Sequence, residues 1–190
     1  NERINELGMD TISLGVTLGW AMEAAEKGIR PSSLSFGDPK GIIDSIEDRA
    51  YRRGEGRDLA DGTRCLSGKY GGTDYAIHVK GLELAAYDPR AGWGQGLNYA
   101  VANRGGCHLN AYPIGQEAIF KFLNPYTAKA KARWVDFFEN LFSALNSLQT
   151  CQFTAFGYIL EPPVAKYTPK PFLKIFMRSE EHTSELQSRQ

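Results

Sequence analysis

The sequence predicts a mainly α fold, and three observations lead to that prediction. A long amphipathic stretch at residues 127–150, TAKAKARWVDFFENLFSALNSLQT, carries its large apolar side chains at helical spacing. Two further stretches begin with residues that start helices, at Asp10 and at Asp38 followed by Pro39. The chain has 190 residues, 42% of them hydrophobic and 12% aromatic, which is enough apolar material for a packed core.

The first long helix is predicted to begin at the Asp10 cap, to run through TISLGVTLGWAMEAAEKG and to end at Gly28. Its apolar residues recur at every fourth position: Ile12, Val16, Trp20 and Ala24. The second helix is predicted to begin at Asp38 and Pro39, because proline fits the first helical position and aspartate can accept a hydrogen bond from an unpaired backbone N–H. Three isoleucines of this helix are expected to face inward: Ile42, Ile43 and Ile46.

The middle of the chain gives weaker signals. Residues 57–69 predict a third helix, and we interpret Cys65 on it as a small buried hydrophobe. From Tyr75 onward the apolar alternation is short and glycines recur, which indicates a connecting segment with extended pieces. The GWGQG run in that segment has some likeness to a dinucleotide loop, but Pro89 separates it from any preceding strand and its spacing is wrong. We therefore assign no nucleotide to it.

Helical signals resume in GLNYAVANRGG, where a short helix is predicted to close at Gly105 and Gly106. Cys107 and His108 therefore directly follow a helix C-terminus. The strong helix that comes next has one stripe of six apolar residues: Trp134, Phe137, Phe138, Leu141, Phe142 and Leu145. The segment QFTAFGYILEPPVAKYTPKPF, which follows, contains too many prolines to sustain a helix.

Charge and cysteine usage limit the partners and the compartment. Lysine plus arginine and aspartate plus glutamate both number 22, so the chain has no general field for phosphate backbones or anionic membranes. No apolar run approaches the ~20 residues that span a bilayer, and we expect neither nucleic acid nor membrane as a partner. The three widely spaced cysteines, Cys65, Cys107 and Cys151, argue against a disulfide framework and favour a cytoplasmic location.

Both ends of the sequence are unusual. The chain opens on Asn1 in what looks like the middle of an element, and we expect it to be a fragment. Residues 178–190, RSEEHTSELQSRQ, have neither helical nor strand periodicity and resemble the translation of a sequencing-library adapter. We therefore treat that segment as a non-native tail and leave it out of the fold prediction.

By residue type alone, Cys107 and His108 allow three interpretations. Adjacent residues project in different directions, which disfavours a thiolate paired with its own base. A zinc site would need four ligands in paired spacings such as C-x-x-C, which the sequence lacks. A structural histidine after a helix is the third interpretation, and residue type leaves the choice open.

The surrounding motifs resemble those of one known family. The run HVKGLELAAYDPRAGWGQGLNYAVANRGGCHLNAY carries K-G-x-E, D-P-R and R-G-x-C-H-L in the order found in the C-terminal part of aldehyde ferredoxin oxidoreductases. NELGMDTIS at residues 5–13 is similar to that family's D-x-x-G-L-D pterin motif, and NSLQTC at residues 146–151 to the second copy, D-x-x-G-L-C. The resemblance implies an irregular helical bundle, with the C-terminal part of family domain 2 at residues 1–75 and a truncated domain 3 at residues 76–177.

The resemblance also implies a chemistry, the oxidation of an aldehyde to a carboxylic acid with ferredoxin as the electron acceptor. The implied cofactors are a tungsten or molybdenum ion held by two pterins, as tungstopterin or molybdopterin, and a 4Fe-4S cluster. His108 matches the family's active-site histidine, for which the implied role is to hydrogen-bond the metal-bound oxygen or the aldehyde and to move a proton, and Cys151 matches a metal ligand of the cluster. The implied pterin contacts are Asn5, Met9, Asp10, Thr11, Asn110, Asn146 and Thr150.

The sequence departs from the family pattern in two respects. Asn5 and Asn146 stand where the two motifs begin with aspartate, so each position keeps an acceptor and loses a charge. The other cluster cysteines and the family's β-rich pterin-cradling domain have no counterpart in the sequence, so we expect this chain alone to retain neither cofactor and to show no turnover.

Two further expectations complete the sequence analysis. The alternative function is a noncatalytic helical scaffold, or a subunit that docks to a redox partner, and a homo-oligomer is left open. For the enzyme interpretation, we expect Asp10, His108 and Cys151 to converge on one buried pocket at helix ends.

Overall fold

A computed structural model describes residues 1–121 and 123–154. These residues form seven α-helices and a single two-stranded sheet, which confirms the mainly α prediction. They group into two compact units: the first unit comprises residues 1–88 and 99–108, and the second unit comprises residues 89–98 and the described residues from 109 onward. The family-domain boundaries predicted from the sequence, and the tail at residues 178–190, are not tested by this division and stay predictions.

The first unit begins with two helices, α1 at Glu2–Glu6 and α2 at Thr11–Glu26. The predicted cap of α2 is confirmed, because Asp10 Oδ2 accepts a hydrogen bond from the Ser13 backbone N–H at 2.6 Å. Helix α2 is buried over most of its circumference, and Leu14, Leu18 and Trp20 all belong to the core of this unit. The helix therefore holds residues 9–11 at a fixed place beside that core.

Helix α3, at Pro39–Ala50, also begins as predicted, with Asp38 Oδ1 accepting from the Gly41 N–H at 3.0 Å. The inward orientation is right for Ile46, which is 6% exposed, and wrong for Ile43, which is 60% exposed. Neighbouring residues on an α-helix are about 100° apart around the axis, so a helix that buries Ile46 and half-buries Ile42 turns Ile43 to solvent.

The predicted third helix is two short ones, α4 at Gly56–Leu59 and α5 at Gly62–Tyr70. The break falls at Ala60 and Asp61, and Gly62, at which α5 begins, has a positive φ of +80°. The predicted burial of Cys65 is wrong, because Cys65 is exposed whereas the adjacent Leu66 occupies the buried face of α5. Because neighbouring residues of a helix point in different directions around its axis, Cys65 faces solvent while Leu66 faces the core.

An antiparallel hairpin follows, with β1 at His78–Val79 and β2 at Leu82–Glu83. Val79 pairs with Leu82, and the turn between them uses positive φ angles at Lys80 and Gly81. His78 Nδ1 accepts from the Gly81 N–H at 3.3 Å, which gives that histidine a structural role in the turn. The hairpin confirms the prediction of extended pieces in this connecting segment.

The remaining helices are α6 at Trp93–Val101 and α7 at Lys131–Ser147, with a π-helical turn at Gly115–Ile119 between them. The second unit takes its core from α7, whose buried residues include Val135, Phe138 and Phe142. The other members of the predicted apolar stripe are partly buried against this cluster: Trp134, Phe137, Leu141 and Leu145. Most of the proline-rich segment predicted to be non-helical lies outside the described residues.

Candidate functional site

The Gly-Gly turn that precedes His108 runs directly against the β-hairpin of the first unit. The Gly106 N–H donates to the Val79 carbonyl oxygen at 3.1 Å. A Cβ at Gly105 would collide with that same oxygen, and a Cβ at Gly106 would lie 2.5 Å from the Leu82 carbonyl oxygen. Only glycine permits the two backbones to approach so closely, and this contact fixes the turn that directly precedes Cys107 and His108.

His108 itself is half-buried, and its ring lies 5.6 Å from the ring of Tyr87, measured between centroids, at an interplanar angle of 47°. Neither imidazole nitrogen is hydrogen-bonded to another residue in the part of the chain that the structure describes. As far as residues 1–121 and 123–154 are concerned, both nitrogens are open to a donor or acceptor.

Two opposite charges act on the His108 ring. Partial burial of the ring lowers its pKa below the usual value, and the positive charge of Arg104 lowers it further. The carboxylate of Asp10 acts in the opposite direction and partly offsets these causes. The net direction is downward, so His108 is held neutral at neutral pH and is suited to accept a proton.

This balance predicts how the first unit responds to acid. Because folding depresses the pKa of His108, the stabilisation present above the unfolded pKa of about 6.5 is lost as pH falls through the lower folded pKa. Replacing Arg104 by methionine removes a lowering cause and is expected to raise the pKa of His108, whereas Asp10→Asn is expected to lower it. Titration of the histidine ring protons by NMR, with His108→Gln used for assignment, measures both shifts.

Arg57→Met is the matched control, because Arg57 is an exposed arginine of the same unit whose charge is not among those that act on His108. Its His108 titration should coincide with that of the unmodified chain. A downward shift in Arg104→Met would contradict the assigned charge balance.

The first predicted pterin motif lies around the start of α2. Asn5 is exposed in the last turn of α1, Met9 packs partly buried against the core of the first unit, and Thr11 is the first residue of α2. Asp10 is exposed, and its second carboxylate oxygen, Oδ1, is not hydrogen-bonded to any described residue. A pterin carries ring N–H and amino donors, and this oxygen fits such a donor.

The second motif lies in the second unit, at and beyond the end of α7. Asn146 and Cys151 are exposed, and the Thr150 hydroxyl donates to the Leu145 carbonyl oxygen at 3.0 Å. The exposure of Asp10 and of Cys151 contradicts the buried location expected for them. Their convergence on one site stays a prediction.

Asn110, the remaining predicted pterin contact, also lies in the second unit. Its side-chain amide donates to Glu139 Oε1 at 2.5 Å. A pterin contact through that amide would have to compete with this charge-assisted hydrogen bond.

No protein-only metal centre is formed by the residues the structure describes. Within residues 1–121 and 123–154, no three or more His, Cys, Asp or Glu side chains lie where they could hold a metal ion together. The three cysteines all fall in these ranges, and none forms a disulfide. Cys151 can thus supply one thiolate to a cluster, and the described residues alone do not fit a complete 4Fe-4S site.

Two buried glutamates that organise helix ends were not predicted to do so. Glu83, the acid of the K-G-x-E motif, accepts from the Thr63 N–H at 2.8 Å at the start of α5. Glu117 accepts from the Gly94 N–H at 2.7 Å at the start of α6, and a Cβ at Gly94 would lie 2.8 Å from the carboxylate. Gly92 and Gly94 of GWGQG therefore make room for a carboxylate, and their spacing was the available signal.

No helix in the described ranges combines the length and the apolar character that a membrane crossing requires.

Comparisons with known proteins agree with the motifs. The family model described as aldehyde ferredoxin oxidoreductase, domains 2 and 3, matches residues 1–178. A tungsten-containing aldehyde ferredoxin oxidoreductase from Pyrococcus furiosus is 40% identical over 167 residues, covering 83% of this chain and 28% of the relative. Its counterpart in Thermococcus kodakarensis is 36% identical over 167 residues, with the same two coverages, 83% and 28%.

A more distant relative is also from Pyrococcus furiosus. The WOR-like subunit of an aliphatic sulfonate oxidoreductase is 32% identical over 120 residues, covering 56% of this chain and 19% of the relative. The chain thus spans well under a third of the length of the curated relatives that it matches. Since the family model covers nearly the whole chain, this protein belongs to the aldehyde ferredoxin oxidoreductase family.

Proposed function

We propose that this chain forms part of the catalytic centre of an enzyme that oxidises an aldehyde to a carboxylic acid, with water supplying the added oxygen atom and with release of two protons and two electrons. Ferredoxin accepts the electrons one at a time, and the location is cytoplasmic. One observation carries the proposal: half-buried His108 keeps both ring nitrogens unengaged by described residues, beside the charges of Asp10 and Arg104. The similarity to tungsten-containing aldehyde ferredoxin oxidoreductases supports the reaction class and favours tungsten over molybdenum.

The role of His108 follows from its electrostatics. Oxidation of an aldehyde by water releases protons, and an imidazole that is neutral at neutral pH can accept one at a ring nitrogen. Partial burial and, after it, the charge of Arg104 favour the neutral resting ring, while the Asp10 carboxylate stabilises the imidazolium that forms. Before proton transfer, the same ring can donate a hydrogen bond to the aldehyde oxygen and orient it.

The pterin contacts are the second part of the proposal. Asp10 would hold a pterin through Oδ1, and Asn5, Met9 and Thr11 lie near it along the chain at the start of α2. A bound tungstopterin supplies the two-electron redox chemistry. Asn110, Asn146 and Thr150 are proposed for the second pterin.

The 4Fe-4S cluster would take only one of its ligands from the described residues of this chain. Cys151 is proposed as one of four ligands, and the chain by itself is expected to retain neither the cluster nor the pterin. Metal and acid-labile sulfide analysis of the purified chain checks this expectation, and stoichiometric tungsten and iron would contradict it.

A chimera tests the catalytic role. In it, this chain replaces the matching segment of the Pyrococcus furiosus relative, to which it is 40% identical. We expect aldehyde oxidation by the chimera, and a loss of roughly 10²–10⁴-fold in kcat for His108→Gln at unchanged tungsten content. Arg57→Met serves as the control and should leave kcat unchanged.

Two outcomes separate the alternatives. A chimera that loads tungsten but oxidises aldehyde equally well with and without His108 would remove the histidine from the mechanism. A chimera that folds, loads tungsten and shows no oxidation would favour the noncatalytic scaffold.

A further inference from the structure

We propose that the motif Lys80-Gly81-Leu82-Glu83 is a clamp that ties the start of α5 to the end of α6 and thereby positions His108. In the sequence this motif is a K-G-x-E pattern. In the structure its two charged residues contact different helix ends, Glu83 the start of α5 and Lys80 the end of α6. Its consequence for catalysis rests on the function proposed above. The clamp residues are positioning residues, since they act on His108 through the backbone.

Glu83 forms the first half of the clamp. Its side chain is buried, and Oε1 accepts from the Thr63 backbone N–H at 2.8 Å and from the Thr63 hydroxyl at 2.9 Å. Asp61, at the position that normally caps α5, makes no side-chain capping bond. A carboxylate from the hairpin therefore satisfies the helix start, where backbone N–H groups and the helix dipole favour negative charge. A Cβ at Gly62 would lie 2.9 Å from this carboxylate, so the site is shaped around it.

Lys80 forms the second half. Its ammonium Nζ donates to the Ala102 carbonyl oxygen at 3.0 Å. Ala102 directly follows Val101, the last residue of α6, and its carbonyl oxygen also accepts from the Gly105 backbone N–H at 3.2 Å. A positive charge at this end complements the dipole of α6.

The backbone joins the two halves to the histidine. Between the clamp residues and the loop, the Gly106 N–H donates to the Val79 carbonyl oxygen at 3.1 Å. Gly106 is two residues from His108, and the turn leaves no room for a side chain at either glycine. A shift of the hairpin away from α5 or α6 therefore moves the loop that carries His108.

The test uses this chain and two variants, Glu83→Ala and Lys80→Met. Exchange of the Gly106 amide hydrogen is measured relative to that of Ala21, an amide in the fully buried part of α2. We expect the ratio to rise about tenfold in Glu83→Ala and by a smaller factor in Lys80→Met, since Lys80 is exposed. The NMR titration of His108 should also move in both variants, because its burial and its distances from the two flanking charges change.

The controls disturb the same unit without touching the hairpin. Glu55→Ala removes a carboxylate that accepts from Arg30 at 2.6 Å and from the Ser33 N–H at 3.1 Å. Lys69→Met removes the ammonium that pairs with Asp58 at 3.1 Å. Both controls should leave the exchange ratio and the His108 titration unchanged.

The conservative variant Glu83→Gln separates positioning from simple loss of stability. Its amide oxygen can still accept both bonds from Thr63, so it should restore most of the Gly106 protection that Glu83→Ala loses. If Glu83→Ala does not fold, Lys80→Met carries the test. An exchange ratio and a His108 titration that are both unchanged in folded Lys80→Met, with the same result in Glu83→Ala where that variant folds, would overturn the clamp.

These readouts do not involve turnover. An inactive chimera would contradict the proposed function but not the clamp. An active chimera, with Gly106 exchange unaffected in the clamp variants, would contradict the clamp but not the proposed function. In an active chimera, Lys80→Met should lower kcat more than it raises KM, because it misplaces His108 without removing it.

Discussion

Replacing Glu117 by alanine is expected to lower the unfolding free energy of the second unit by about 3–5 kcal/mol. The Glu117 side chain is fully buried and forms an ion pair with Lys131, whose side chain is 4% exposed. Its two oxygens also accept from the Gly94 N–H at 2.7 Å and the Gln95 N–H at 3.2 Å. The substitution leaves a buried ammonium without its counter-charge and two helix-start N–H groups unpaired. Urea unfolding followed by tryptophan fluorescence measures the loss.

The double variant Glu117→Ala and Lys131→Met provides the internal control. Once the buried ammonium is gone, the missing carboxylate costs less, so the double variant should lose clearly less stability than the sum of the two single variants. Strict additivity would show that the pair is not coupled. The mechanism given for Glu117 would then be wrong.

Local signals in the sequence were sufficient for the helices that are capped by their own side chains. Asp10 and Asp38 each accept from a backbone N–H three residues ahead, and such a contact depends on a few neighbouring residues only. The finer errors come from rotation around the helix. Ile43 is exposed beside half-buried Ile42, and Cys65 is exposed beside buried Leu66. The apolar stripe of a short amphipathic segment predicts the buried side of the helix only to within about one residue.

The buried carboxylates could not be found in the same way. Glu83 lies 20 residues from Thr63 and Glu117 lies 22 from Gln95, and in each case the partner includes a backbone N–H, which has no letter in the sequence. The position of His108 after a Gly-Gly turn was predictable from the pattern. The hairpin that holds the turn was not, because glycines mark a close approach without naming the element that approaches.

Gly105→Ala is expected to lower the unfolding free energy of the first unit by about 2–4 kcal/mol. The φ angle at Gly105 is +105°, a conformation that strains any residue with a Cβ, and the added methyl would collide with the Val79 carbonyl oxygen. The turn cannot move away from the hairpin without losing a hydrogen bond, because the adjacent Gly106 N–H donates to that same oxygen. Urea unfolding gives the loss of stability, and the His108 titration reports the displaced loop.

Gly15→Ala makes the same chemical change where no obstacle exists. Gly15 is exposed on α2, and a Cβ there meets no atom of the described residues within 4 Å. Alanine is the better helix former, so this variant should gain about 0.5–1 kcal/mol and leave the His108 titration unchanged. The contrast in sign separates the cost of the turn from the general effect of replacing glycine. If Gly105→Ala were as stable as Gly15→Ala, the hairpin would yield freely to the added methyl, and the Gly-Gly turn would not fix the position of His108.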